Sequence, residues 1–188
     1  MSEVERPIED LRSSKGELGS FAGADMSTGL IWGIKRSFLA YLSRMPDLKS
    51  SVSGGASVAP ELGLYHFPLA SSDAYDYGTG QGTLKFQGDL RFSGHFGFLF
   101  VMLVDPWVTF DDGLATLSFH DVEADPELAD DSARRPMLGL GYPGYVDAHG
   151  IRDWQLIPTS LRTEAVSVFN EVYPPGELFE PLHMRVTL

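Results

Sequence analysis

Apolar residues between positions 30 and 42 recur at steps of three and four, which is the spacing of one face of an α-helix. The stripe comprises Leu30, Ile31, Ile34, Phe38 and Tyr41. Pro46 follows within one turn and would end the helix. The sequence therefore predicts an amphipathic helix over residues 30–42. This helix would pack its apolar face against a sheet, because most of the chain after it has the pattern of strands.

The remaining apolar pattern predicts strands. Residues 83–95 alternate between apolar and polar side chains, which is typical of a half-buried antiparallel strand. Residues 96–104 are nearly all apolar and predict a strand that is buried on both faces. Asp112-Gly113 separates two apolar runs and predicts a hairpin over residues 107–119. Further strands are predicted over residues 63–69, 151–161 and 183–188, and a second short helix over residues 163–169.

These elements predict an all-β fold, either an antiparallel β-sandwich or a barrel-like sheet, with two short α-helices. With 188 residues, the chain is long enough for one domain with a sizeable core. We expect a polar lead-in over residues 1–25 and a single domain over residues 26–188.

The net charge of −12 argues against nucleic acid and anionic membranes as partners, since both require clustered basic residues. No apolar run reaches the roughly 20 residues of a membrane-spanning helix, so no membrane insertion is expected. The first 20 residues lack the apolar segment of a secretory signal, which predicts a cytoplasmic location. The absence of cysteine excludes disulfides, thiolate metal sites and cysteine nucleophiles.

Local motifs carry little chemistry by themselves. Residues 78–82 contain three glycines but lack the Lys-Ser/Thr of a phosphate-binding loop, and the acidic residues between 121 and 131 lack the spacing of a calcium loop. The five histidines show no zinc-binding spacing. His95 ends an alternating strand and Tyr41 ends the helical stripe, and taken alone each is best interpreted as a structural residue.

Three separated segments resemble the HtaA domain, a haem-binding and haem-transport module of actinobacteria. They are residues 31–41 (IWGIKRSFLAY), residues 75–95 with GQGT and FQGDLRFSGH, and residues 161–181 with LRTEA, Phe169, Tyr173-Pro174 and Gly176. The segments occur in the order found in that family and extend the resemblance from about residue 30 to the end of the chain. Relative to the family, residues 121–135 and 142–153 look like insertions.

The resemblance implies that ferric haem b binds in an apolar pocket. It implies Tyr41 as the axial metal ligand, His95 as the hydrogen-bond partner of the phenolate, and Tyr173 as a pocket residue. Phe38 and Phe96 would contribute apolar surface, as would Phe98, with Lys35 or Arg36 near the propionates. A phenol has an ordinary pKa of about 10, so binding to ferric iron would supply most of the drive for its deprotonation.

Family members for iron uptake are generally exported, whereas this sequence predicts a cytoplasmic protein, so haem storage or relay is the function expected. A binding protein is favoured over an enzyme. Two alternatives remain open: an enzyme that acts on a hydrophobic small molecule by Tyr/His acid-base chemistry, and a haem-free protein that binds a small molecule. The expected partner is haem or a hydrophobic small molecule, and a homodimer remains open.

Overall fold

The computed structural model describes residues 28–141 and 144–188, so the predicted lead-in over residues 1–25 lies outside the described residues. The strands are β1 (Gly29–Trp32), β2 (Lys49–Ser53), β3 (Ser57–Ala59), β4 (Leu64–Phe67), β5 (Leu69–Asp76), β6 (Gln81–Phe86), β7 (Asp89–Gly94), β8 (Leu99–Val104), β9 (Trp107–Asp111), β10 (Leu114–His120), β11 (Arg134–Leu140), β12 (Tyr145–Ala148), β13 (Ile151–Leu161) and β14 (Leu178–Thr187). The helical elements are α1 (Arg36–Leu42) and the 3₁₀ turns His95–Gly97, Thr163–Ala165 and Ser167–Phe169. The single domain over residues 26–188 stays a prediction.

The described strands form two sheets. Within each sheet, every pair of neighbouring strands is antiparallel. The larger sheet has the order β3-β4-β1-β14-β13-β11-β10-β9-β6-β5, with β12 paired to β13, and the smaller sheet has the order β2-β7-β8. This confirms the all-β prediction. Within the described strands the larger sheet ends at β3 and β5 and does not close, so the barrel-like alternative is not observed.

The helix prediction over residues 30–42 is wrong in its first half. Residues 29–32 form β1, which lies between β14 and β4 and is buried at all four positions. A strand buried on both faces is apolar throughout, and so short a run cannot be distinguished from a helical stripe by periodicity. The backbone of Ile34 is left-handed (φ 56°), and the helix begins only at Arg36.

The alternating segment over residues 83–95 is two strands rather than one. β6 belongs to the larger sheet and β7 to the smaller, and the chain changes sheets at Gln87-Gly88. Gly88 has φ 140°, and a Cβ at this position would lie 2.5 Å from the Cβ of Ala56. Glycine is therefore required by both the backbone conformation and the close packing. Because the alternation continues across this junction, the sequence pattern alone does not reveal the change of sheet.

The apolar segment over residues 96–104 is not buried on both faces, contrary to the prediction. In β8, the side chains of Leu99, Val101 and Leu103 face the core. Phe100 of β8 is 54% exposed, and Phe96 and Phe98, in and directly after the turn that precedes β8, are 90% and 87% exposed. We call these three residues the phenylalanine patch. So large a group of exposed apolar side chains is unusual on a protein surface and often marks a binding site.

Other predicted elements are observed. β9 and β10 form the predicted hairpin around Asp112-Gly113, and β13 covers the predicted strand over residues 151–161. The second helix is present as two consecutive 3₁₀ turns within residues 163–169. In the described ranges, no helix has the length and apolar character needed to cross a membrane.

One hydrophobic core joins both sheets to α1. The buried face of α1 carries Phe38, Leu39 and Leu42. The Phe38 ring makes edge-to-face contacts with Phe92 of β7 and with Phe169, with ring centroids 5.8 and 5.3 Å apart. This packing holds the short helix in place, because seven residues are too few for an isolated helix to be stable in water.

Burial of Tyr65 should make stability pH-dependent in alkali. Burial raises the pKa of Tyr65 from 10.0 to about 12, because the phenolate is poorly solvated in the core. The phenol of the unfolded chain therefore ionises near pH 10, whereas that of the folded protein ionises only near pH 12. Ionisation between these pH values favours the unfolded state, so the free energy of unfolding is unaffected well below pH 10 and falls as the pH rises towards 12. We expect the free energy of unfolding of the wild type relative to Tyr65→Phe to fall by about 1.4 kcal/mol between pH 8 and pH 11 in urea titrations. A difference that does not change with pH would contradict this.

Candidate functional site

Tyr41 lies on the outer face of α1. Its side chain is 45% exposed, so it is not part of the buried stripe with which the sequence pattern groups it. Ser37 lies four residues earlier on the same helical face and is also exposed. The buried positions of α1 anchor the helix, and the phenol is left at the surface.

His95 reaches the Tyr41 phenol from the end of β7. The Tyr41 hydroxyl and Nε2 of His95 form a hydrogen bond, and the two ring centroids are 5.7 Å apart. A neutral phenol donates to an unprotonated Nε2, whereas a phenolate accepts from Nε2–H. The pair can therefore keep its hydrogen bond when the phenol loses its proton, provided that the imidazole carries hydrogen on Nε2.

The backbone that carries His95 is in an uncommon conformation. His95 and Phe96 have φ values of 51° and 55°, in the left-handed region that non-glycine residues rarely adopt. Gly97 follows with φ 94°. Asp47, which follows α1 in the chain, accepts a hydrogen bond from the Phe96 amide at 2.6 Å. This amide is the main cause that holds the pKa of the Asp47 carboxyl below its usual range.

Tyr173 lies beside the first turn of α1. The hydroxyls of Tyr173 and Ser37 are hydrogen-bonded at 3.1 Å, and the Tyr173 ring packs edge-to-face against Phe169 and Phe179. The ammonium group of Lys35 lies 5.2 Å from the Tyr173 ring centroid. Tyr41 and Ser37 thus lie on the same face of α1, Tyr41 in its last turn and Ser37 in its first. Tyr173 contacts this face through its hydrogen bond to Ser37.

Of the site residues named from the sequence, the structure brings Tyr41 and His95 into contact, with Phe96 next in the chain. Phe38 is only 3% exposed and belongs to the core, because it lies on the buried face of α1. The sequence analysis did not identify Asp47 or Phe100. Phe100 continues an alternation with Phe96 and Phe98 that was visible in the sequence, whereas the contact of Asp47 spans 49 residues and left no local signal.

Two other histidines are held by hydrogen bonds away from Tyr41. His66 is bonded to the carbonyl of Thr28, and His120 to the carboxylate of Asp125, at 2.8 and 3.1 Å. Across residues 28–141 and 144–188, no three His, Asp or Glu side chains are grouped as metal ligands. Two surface clefts lie away from Tyr41 and His95. They are lined by Leu161, Arg162, Thr163, Glu164, Pro175 and Gly176, and by residues of β5, β6, β9, β10, β12 and β13.

The fold and the site define an all-β domain that presents a tyrosine–histidine pair beside exposed aromatic side chains. The chain belongs to the HtaA family: the family model, described as Htaa, matches residues 27–185. This confirms the resemblance that the sequence segments carry. No curated protein matches the chain.

Solved structures share the fold. The C-terminal domain of HtaA from Corynebacterium glutamicum is similar at TM-score 0.64 and 19% identity, over 85% of this chain and 97% of that one. The N-terminal domain of HtaA from the same organism gives TM-score 0.61 and 21% identity, over 85% and 96%. The heme binding protein HtaB, also from C. glutamicum, gives 0.58 and 18%, over 85% and 92%. At these identities the likeness establishes the fold alone.

Proposed function

We propose that this protein binds ferric haem b at the surface formed by Tyr41, His95 and the phenylalanine patch, for haem storage or relay. The observation that carries the proposal is the exposed Tyr41 hydroxyl bonded to His95 Nε2, directly before three exposed phenylalanines in the chain. Membership of the HtaA family supports it, and so does the similarity in fold to HtaB, which is described as a heme binding protein.

The chemistry of the Tyr41 and His95 side chains fits ferric haem. When bound, ferric haem would supply a Lewis-acidic iron that favours a hard anionic oxygen ligand, for which tyrosinate is an established choice. Tyr41 would provide that oxygen, since its side chain is 45% exposed and can be approached from solvent. His95 would donate from Nε2 to the phenolate oxygen and so orient the ligand and tune its basicity.

The apolar surface for the porphyrin would come from the phenylalanine patch. Phe96 and Phe98 are almost fully exposed, so covering them would remove apolar area from water. Phe38 is excluded from this role because its ring is enclosed in the core. The ammonium group of Lys35 already contacts a Glu177 carboxylate oxygen and the Leu178 carbonyl, each at 2.7 Å. The exposed Arg36 is therefore the better candidate for a propionate.

The open position of the site favours exchange of its ligand. Tyr41, Phe96 and Phe98 lie at the surface, so a bound ligand would remain accessible to a second protein. Such access suits relay and reversible storage better than permanent retention. The cytoplasmic location and the homodimer stay predictions.

A hemin titration followed by visible absorption tests the proposal. We expect a saturable change in the Soret band that ends near one equivalent, with the features of ferric tyrosinate ligation. Reduction to the ferrous state should weaken binding, because a hard anionic oxygen favours ferric over ferrous iron. Non-saturable absorption changes would overturn the haem assignment, and the iron-free protein should then be screened for small-molecule ligands and for turnover.

His95→Ala should lower hemin affinity about 10- to 100-fold, which is the usual effect of removing the hydrogen-bond partner of a metal ligand. The tyrosinate absorption should persist in weakened form, because Tyr41 remains. His149→Ala is a matched control, since His149 is also an exposed histidine with a left-handed backbone (φ 54°) but lies in the turn between β12 and β13. Equal affinities of His95→Ala and the wild type would contradict the role of His95.

A further inference from the structure

We propose that Asp47 is a positioning residue that holds the loop of His95, Phe96 and Gly97 so that the imidazole faces Tyr41. This inference deepens the proposed haem site and rests on it for the role of the Tyr41–His95 pair. The Asp47 carboxylate accepts a hydrogen bond from the backbone amide of Phe96 at 2.6 Å. It therefore acts through the backbone of the loop rather than as a ligand.

The loop needs an external restraint because its conformation is locally unfavourable. His95 and Phe96 are two consecutive non-glycine residues with left-handed φ values, and such conformations persist only where surrounding contacts enforce them. The amide of Phe96, the second of these residues, donates the hydrogen bond to Asp47. Without it, relaxation of the backbone would carry the His95 side chain away from the position in which Nε2 meets the Tyr41 hydroxyl.

The same segment connects the two halves of the site. Asp47 follows α1, which carries Tyr41, and Met45 between them is buried. A Cβ placed on Gly94 would lie 2.7 Å from the Met45 sulfur and 3.9 Å from Oδ1 of Asp47. Residues 45–47 therefore pack closely against residues 94–96. This contact sets the distance between the helix that carries the phenol and the loop that carries the imidazole.

Asp47 is also well suited to this bond electrostatically. The Phe96 amide is the main cause of the lowered pKa of Asp47, and the His95 amide adds to it, so the carboxylate is charged at neutral pH. Hydrogen bonds in which one partner is ionised are shorter and stronger than neutral ones. An asparagine at this position would keep an acceptor oxygen but lose the charge.

The variants for the test are Asp47→Ala, Asp47→Asn and the double variant Asp47→Ala/His95→Ala. Asp76→Asn is the matched control. Oδ1 of Asp76 also accepts a hydrogen bond from a loop amide, that of Gly78 in the turn between β5 and β6, at 2.8 Å. Thermal unfolding identifies any variant that does not fold. Asp47→Asn preserves size and an acceptor oxygen, so it remains informative if the alanine variant is unstable.

The first measurement uses hemin-free protein. We expect hydrogen exchange of the Phe96 amide to be at least about tenfold faster in Asp47→Ala, and the NMR contacts between the Tyr41 and His95 rings to be lost. Asp47→Asn should give intermediate effects and Asp76→Asn none. Unchanged Phe96 exchange together with retained ring contacts would overturn the proposal. This arm does not depend on haem, so it decides the role of Asp47 even if the wild type fails to bind hemin.

The second measurement is the hemin affinity of each variant. We expect Asp47→Ala to weaken binding about tenfold and to shift the tyrosinate absorption towards that of His95→Ala. Because Asp47 would act through His95, the double variant should bind no more weakly than His95→Ala alone. Independent, additive losses would show that Asp47 acts by another route and would overturn the proposal. Failure of the wild type to saturate with hemin would instead refute the proposed function.

Discussion

Tyr41→Phe should lower the affinity for hemin by about 100-fold or more, which corresponds to about 2.7 kcal/mol. The substitution removes only the hydroxyl oxygen, which is the proposed iron ligand, and leaves the ring in place. The side chain is at the surface, so the free energy of unfolding should change by less than about 0.5 kcal/mol. A large loss of binding without a loss of stability would assign the effect to the ligand atom.

Tyr145→Phe is the matched control for this experiment. Tyr145 is 46% exposed, almost the same as Tyr41, but lies on β12 and packs against Trp154. Both variants should be titrated with hemin under the same conditions and followed by visible absorption. Wild-type affinity in Tyr41→Phe, or an equal loss in both variants, would refute Tyr41 as the ligand.

Phe38→Ala should reduce the free energy of unfolding by about 3–5 kcal/mol, the usual cost of removing a buried phenylalanine ring. The Phe38 ring is enclosed by Phe92 and Phe169, so its removal would leave a cavity between α1 and the sheets. Phe96→Ala is the matched substitution at a side chain that is 90% exposed. It should change stability by less than about 0.5 kcal/mol and should lower hemin affinity about tenfold.

Urea unfolding and hemin titration of the two variants would separate the roles of these phenylalanines. The expected pattern is a large loss of stability in Phe38→Ala and a selective loss of binding in Phe96→Ala. The opposite pattern, a stable Phe38→Ala variant or full hemin affinity in Phe96→Ala, would contradict the division between core and binding surface.

The two strands joined by a local turn signal were predicted correctly. The hairpin of β9 and β10 is marked by Asp112-Gly113 between two apolar runs, and the tight turn is a property of those residues themselves. The all-β class follows from many such segments without the regular alternation of strands and helices. The HtaA resemblance likewise depends only on residue order, and the match over residues 27–185 confirms it.

Errors arose where burial rather than residue type decides the structure. Residues 30–32 are apolar because β1 is covered on both faces, and apolar residues there are equally compatible with a helix. Residues 96–104 are apolar for two different reasons, since one face packs in the core while the phenylalanine patch is exposed. In a run that is apolar throughout, the residue types do not show which face is covered.

The sequence alone was sufficient for the all-β class, the hairpin and the candidates Tyr41 and His95, the last two through the family resemblance. Their contact, which the resemblance implies, is produced by the tertiary structure, because the two residues are 54 residues apart and come together where Phe38 of α1 packs against Phe92 of β7. The same holds for Asp47, the exposure of Phe96 and the burial of Phe38. Contacts between distant segments depend on how helix and sheets pack, and local periodicity does not encode that packing.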